Sequence, residues 1–86
     1  MQNKVLIKLM VPELDVDYDV FVPVNEIMWK VRAMLIKCVA DLNYLGFDPK
    51  KDFILMNKID GTIYKNNDIV INTNIRNGSE LVLLSK

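Results

Sequence analysis

Residues 4–22 read Lys4-Val5-Leu6-Ile7-Lys8-Leu9-Met10-Val11-Pro12-Glu13-Leu14-Asp15-Val16-Asp17-Tyr18-Asp19-Val20-Phe21-Val22, two alternating runs about a proline-led turn. In the first run Val5, Ile7, Leu9 and Val11 share one face, and Lys4, Leu6, Lys8 and Met10 share the other. In the second, Val16, Tyr18, Val20 and Val22 alternate with Asp15, Asp17, Asp19 and Phe21. Pro12 to Asp15 supply the turn, so the pair reads as a hairpin. Pairing Val11 with Val16 puts Leu9 opposite Tyr18 and Ile7 opposite Val20 on the inner side. The same register sets Lys8 against Asp19 outside, where an opposite-charge pair contributes about 0.2–1 kcal/mol and opposes a one-residue slip. It also leaves Leu6 beside Phe21 on the outer face.

Beyond the hairpin, Pro23 and Val24 end the second strand. Asn25 is placed to cap a helix, and Glu26 falls in the first turn, where the dipole favours a negative charge. The spacing predicts a helix to about Tyr44, closed by a left-handed Gly46 and barred from resuming by Pro49. Met28, Val31, Leu35, Cys38, Val39 and Leu42 lie on one stripe, which should cover the sheet. Phe53 to Met56 then read as a short strand. Asp60-Gly61 turns into Thr62-Ile63-Tyr64, Asp68 is a candidate cap for the turn carrying Ile69 to Ile71, and Asn77-Gly78 leads into a last strand, Glu80 to Leu84.

The composition is that of an ordinary folded domain. The 86 residues are 51% apolar and 26% charged, and eleven basic residues balance eleven acidic ones to a formal charge of zero. A chain of this length makes one domain, residues 1–86, burying a little over ~60% of its extended surface, with no room for a deep active site. Zero net charge and a single adjacent basic pair, Lys50-Lys51, argue against nucleic-acid or anionic-membrane binding. No apolar run approaches the roughly 18 residues of a membrane span, and the N-terminus leads into a strand rather than a signal segment, so the expectation is cytoplasmic.

Chemistry finds little purchase. There is no histidine, and one cysteine can form neither an internal disulfide nor a zinc site. Cys38 falls on the apolar helical stripe, where cysteine behaves as a small hydrophobe. Asp15 to Asp19 imitate the start of a calcium loop, with Glu26 at the twelfth position, but the sixth position is Val20 where the loop requires glycine. The reading is of a chain with no catalytic residue, no metal and no cofactor.

The order of elements and the closing pattern Ile75-Arg76-Asn77-Gly78-Ser79-Glu80-Leu81-Val82-Leu83 resemble ubiquitin-like domains over nearly the whole chain. Within that superfamily the chain most resembles the YukD/EsaB family, small cytosolic components of Gram-positive type VII secretion systems. The resemblance implies an α+β, β-grasp fold: a mixed sheet of four to five strands, one long helix across one face, and the first and last strands parallel at the centre. It also implies binding rather than catalysis, a non-catalytic adaptor whose protein partner is a membrane component of the secretion apparatus. Ubiquitin-type modifiers and sulfur carriers end in a flexible Gly-Gly tail, whereas this sequence ends Leu84-Ser85-Lys86, which disfavours that alternative.

Two surfaces are candidates for recognition. Counting from Gly46 places Ile54 and Met56 inward and Leu55 outward, and alternation in the last strand places Val82 outward. Leu6, Phe21, Leu55, Val82 and Leu84 then form a candidate contiguous apolar patch on the exposed sheet face, the patch-bearing side in the domains the chain resembles. On the helix, Trp29, Ala33, Ile36 and Ala40 follow helical spacing on the side away from Met28 and Leu35. That second stripe would seat another helix or a second copy of the domain, making a self-associating subunit, unless the loop around Phe47 folds over Trp29.

Overall fold

The computed structural model describes residues 3–43 and 45–86. Strand β1 (Lys4–Val11) turns through a short 3-10 segment (Pro12–Leu14) into β2 (Val16–Pro23). Helix α1 (Met28–Leu42), β3 (Phe53–Asn57), a second 3-10 segment (Val70–Asn72) and β4 (Glu80–Ser85) follow. The sheet order is β2-β1-β4-β3, with β1 and β4 parallel and the other pairs antiparallel. Alternation decides the hairpin as the sequence predicts: Val11 pairs with Val16, Leu9 with Tyr18, Ile7 with Val20 and Lys8 with Asp19. Asp15 closes the turn in the left-handed region at φ 54°, which a short polar side chain tolerates better than most.

One apolar layer holds the helix to the sheet. Ile7, Leu9 and Val11 of β1, Leu81 and Leu83 of β4, and Phe53 and Leu55 of β3 meet Met28, Val31, Leu35 and Val39 of α1, all buried. Val22, Phe47, Tyr64, Val70 and Ile75 close the margins. Each such side chain, once covered, contributes on the order of 1.5–3 kcal/mol, which for a domain this small must come from this single layer.

The strand β3 runs in the opposite parity to the sequence expectation. Leu55 is wholly buried against the helix, while Ile54 and Met56 are half-buried on the outer side. Pairing decides this: β3 bonds to β4 with Leu55 opposite Leu83 and Met56 opposite Val82, and residues opposite one another share a face. Counting across the irregular loop from Gly46 cannot carry parity. The anticipated fifth strand contracts to an isolated bridge between Met56 and Ile63, with Gly61 turning at φ 75°.

Both ends of α1 are secured differently from the expectation. The helix begins at Met28, two residues after Glu26, and Asn25 makes no cap. Instead the Met28 and Trp29 amides donate to the backbone carbonyls of Asp68 (2.7 Å) and Asn66 (3.2 Å), so a distant loop satisfies the open helix end. The same loop is held in return, since the Val70 amide donates to the Glu26 carbonyl and the Ile71 amide to that of Val24. Asp68 does not cap the second 3-10 segment; its carboxylate accepts from the Lys65 amide. At the other end Gly46 is not left-handed, and Asn43 finishes the helix, its side-chain amide donating to the Val39 carbonyl (3.0 Å) and the Tyr18 hydroxyl (2.6 Å). Tyr44, where the sequence places the end of the helix, lies outside the described residues.

The apolar stripe is narrower than predicted. Cys38 and Leu42 are exposed, although Cys38 stands only about 20° around the helix from buried Val31; Leu42 is the last helical residue. No helix among the described residues is long and apolar enough to cross a membrane.

Candidate functional site

The side of the sheet away from α1 carries a row of apolar side chains across its centre. Register assembles it: Met10 pairs with Val82, Val82 with Met56, and Met56 bridges to Ile63. Val82 is 8% exposed yet does not belong to the helix-side core; in the register it lies between the two methionines. Ile63 at the end of the row is 55% exposed. Leu84 and Ile54, paired and half-buried, widen the row toward the end of β4. Two methionines around a valine make an adaptable apolar surface, since the unbranched thioether side chain can repack against different partners.

This face differs from the continuous patch the sequence suggests. Leu55, expected outward, is in the core. Leu6 and Phe21 are paired and exposed, as anticipated, but a charged row separates them from Val82 and Leu84. That row runs Asp19, Lys8, Glu80, Lys58 across the sheet, with Lys58 Nζ 3.9 Å from Glu80 Oε1. The outer face therefore holds two apolar areas, Leu6–Phe21 at one side and the Met10–Val82–Met56–Ile63 row at the centre. Met10, Ile54, Met56 and Ile63 escape sequence analysis because their membership rests on cross-strand register, which only the β3–β4 pairing supplies.

The helical stripe also divides. Trp29 is 47% exposed and Ala33 is exposed, but Ile36 and Ala40 pack against the core. Phe47 does not fold over Trp29; it stacks on Phe53 with ring centroids 5.0 Å apart. An open groove of about 460 Å³ remains between Trp29, Ala33 and Ile36 on the helix and Lys51 to Phe53 on the approach to β3. Lys30 Nζ lies 5.6 Å from the Trp29 ring centroid, within cation–π range, and Arg32 donates to the Asn66 side chain at the groove's edge.

A polar network braces the segment that ends at Ile63. Asn57, the buried polar residue of β3, donates from Nδ2 to the Tyr64 hydroxyl (3.2 Å) and accepts at Oδ1 from the Ile59 and Asp60 amides. Asn74 links Tyr64 to Asp60, whose carboxylate accepts from the Thr62 amide at 2.9 Å. Bonds from the Thr62 backbone and hydroxyl, with Asn74 adding to them, hold the Asp60 carboxyl below its ordinary value against a partial desolvation. Burial pushes the Tyr64 phenol up. The network is a scaffold for the Gly61 turn: every group in it is occupied with another, which is unlike a poised acid and base. Among the described residues no cluster of three or more His, Cys, Asp or Glu could hold a metal ion.

No protein-family model and no curated protein matches the sequence. Solved structures do resemble the chain. It superposes on the EccD5 ubiquitin-like domain from Mycobacterium xenopi with a TM-score of 0.77 and 21% identity, over 99% of this chain and 97% of that one. The fold is ubiquitin-like. A second ubiquitin-like domain, from the Mycobacterium tuberculosis type VII secretion system protein ECCD1, gives a TM-score of 0.75 at 13% identity over 98% of this chain and all of that one. The ubiquitin-like chain also matches part of the MycP5-free ESX-5 inner membrane complex, at a TM-score of 0.79 and 20% identity. There it covers 99% of itself but only 21% of the larger chain. The four-stranded mixed sheet and single crossing helix are thus those of the ubiquitin-like domains in type VII secretion components.

Proposed function

We propose that this ubiquitin-like chain is a non-catalytic adaptor of a type VII secretion apparatus, binding a protein component at the membrane through the Met10–Val82–Met56–Ile63 row. The observation carrying the assignment is the near end-to-end superposition on two such domains from secretion proteins. The observation carrying the face is an apolar row on the solvent side of the sheet, ending in an exposed isoleucine, in a domain whose core is already complete on the other side. Burying that row needs only a shape-matched apolar surface; the flanking Lys8, Glu80 and Lys58 would set orientation at its rim.

Affinity capture tests this reading. The tagged chain is recovered from detergent-solubilised lysate of its own organism beside a Met56→Lys/Ile63→Asp variant whose melting curve shows it folded. Secretion components of the membrane recovered by the native chain alone support the adaptor and its face. Equal recovery by both chains removes the face from the proposal. Recovery of nothing but the chain itself would favour self-association, for which the exposed Trp29 and its groove are the available surface, and covalent adducts would indicate a modifier.

A further inference from the structure

The sheet has one open edge with a defined chemical character. β2 is terminal in the sheet order, so only one of its sides is occupied. The Val24 amide donates to the Asn3 carbonyl directly opposite, and in an antiparallel ladder such bonded pairs recur every second residue. Val22, Val20, Tyr18 and Val16 therefore bond to β1. The backbones of Asp17, Asp19 and Phe21 point away from it. The complementary set on β1 confirms the phase: the Leu6 amide donates to Asn77 Oδ1, the Lys8 amide to the Ser79 carbonyl, and Leu6 accepts from the Gly78 amide, all on the β4 side. No backbone bond from Asp17, Asp19 or Phe21 to another segment exists among the described residues.

Both flanks of this edge are patterned. On the outer side Asp17 and Asp19 are exposed and in no ion pair among the described residues; Lys8 faces Asp19 across the strands without a contact pair. On the helix side Val16, Tyr18 and Val20 are only half-buried and pack against the rim of the core. Because the Trp29–Ile36 flank of α1 lies toward Lys51–Phe53 and β3, the opposite flank, bearing half-buried Met34 and exposed Cys38, lies toward β2. A strand laid along β2 would thus meet carboxylates on one side and apolar side chains on the other.

We infer that the β2 edge of this chain receives an extended segment of another protein in which Lys or Arg alternates with apolar residues, adding it to the sheet as a fifth strand. Strand addition supplies affinity through main-chain bonds and specificity through alternate side chains. Charge selects the occupant. A second copy of β2 would set Asp17 and Asp19 against their own counterparts, and like charges directly opposite are destabilising. Charged residues commonly guard a strand edge from indiscriminate pairing; here the guard is acidic and leaves a basic strand as the complementary guest. The inference does not rest on the outer-face reading: the row and the edge adjoin where Met10 pairs with Asp17, but strand addition uses the outward backbone of β2, which the row does not.

Titration of the isotope-labelled full chain with an end-blocked peptide of alternating lysine and valine tests it, followed by amide shifts and hydrogen exchange. Two control peptides replace the lysines with glutamate, or the central valines with proline. Binding of the first peptide alone, with the Asp17, Asp19 and Phe21 amides shifting and gaining protection, is the expected result. In an Asp17→Asn/Asp19→Asn variant the same peptide should bind roughly 1.5- to 5-fold more weakly per charge removed. Equal binding of the proline peptide would mean charge attraction without strand pairing and would overturn the inference. So would shifts confined to the Val82 face, or no binding at millimolar peptide. The peptide controls on the native chain decide the matter even if the variant fails to fold.

Discussion

Tyr64 donates its hydroxyl hydrogen to Asn74 Oδ1 at 2.6 Å while accepting from the buried amide of Asn57 at 3.2 Å. One phenol thereby ties the end of β3 to a residue 17 positions further along, across a segment with little regular structure. Tyr64→Phe keeps the ring in the core and removes the oxygen, leaving the Asn57 amide without its acceptor. The loss should be about 1–3 kcal/mol, the cost of a buried donor left unpaired, in urea unfolding of the variant against the native chain. A change within a few tenths of a kcal/mol would mean water replaces the phenol at no cost.

Acid should weaken the same network. The Asp60 carboxyl is held below its ordinary value by Thr62 first and Asn74 after it, so the folded state favours the carboxylate. A carboxyl depressed on folding contributes stability that is fully present above its unfolded pKa of about 3.9 and is lost as pH falls through the lower folded value. Asp60→Asn should therefore flatten part of the decline in urea midpoint below about pH 4 and leave its slope near neutrality unchanged. An unaltered acid limb would assign the decline to the other carboxylates.

The parity of β3 makes a sharper contrast. Leu55 and Met56 are neighbours in sequence, but Leu55 is fully buried against the helix and Met56 lies on the outer face beside Val82. Leu55→Ala should cost about 2–5 kcal/mol, the range for removing a core leucine with incomplete collapse of the cavity. Met56→Ala should cost well under half of that. The reverse order in denaturant midpoints would restore the parity obtained by counting from Gly46.

What the sequence reveals and what it conceals follow from how far each signal reaches. The β1–β2 hairpin is legible because a four-residue connection carries alternation and charge from one strand directly to the next; the Lys8–Asp19 pairing needs nothing else. The parallel centre is legible through resemblance. β3 is not, because ten residues lie between it and α1 in the sequence and its parity is fixed only by β4, more than twenty residues later. The helix start fails for a related reason: Asn25 and Glu26 are good local signals, but carbonyls of Asn66 and Asp68 satisfy the helix end, and no local rule anticipates them. Of the apolar patch, Val82, Leu6 and Phe21 take the outward parity that alternation gives them, while Leu55 and the continuity of the surface are lost with the β3 register.

Trp29 reports on whether the helix groove is used. The Phe47 ring is stacked on Phe53, and Trp29 is 47% exposed. Its emission should accordingly be red and readily quenched by acrylamide, and Trp29→Ala should change stability by less than about 1 kcal/mol, as for surface substitutions that leave the core intact. Raising the concentration discriminates between the surfaces. If the groove beside Ala33 and Ile36 seats a second copy, emission should shift to the blue and quenching fall as sedimentation shows larger species, and Trp29→Ala should abolish both changes. If association proceeds through the outer sheet face instead, sedimentation should change while Trp29 emission does not, and Ile63→Asp rather than Trp29→Ala should prevent it.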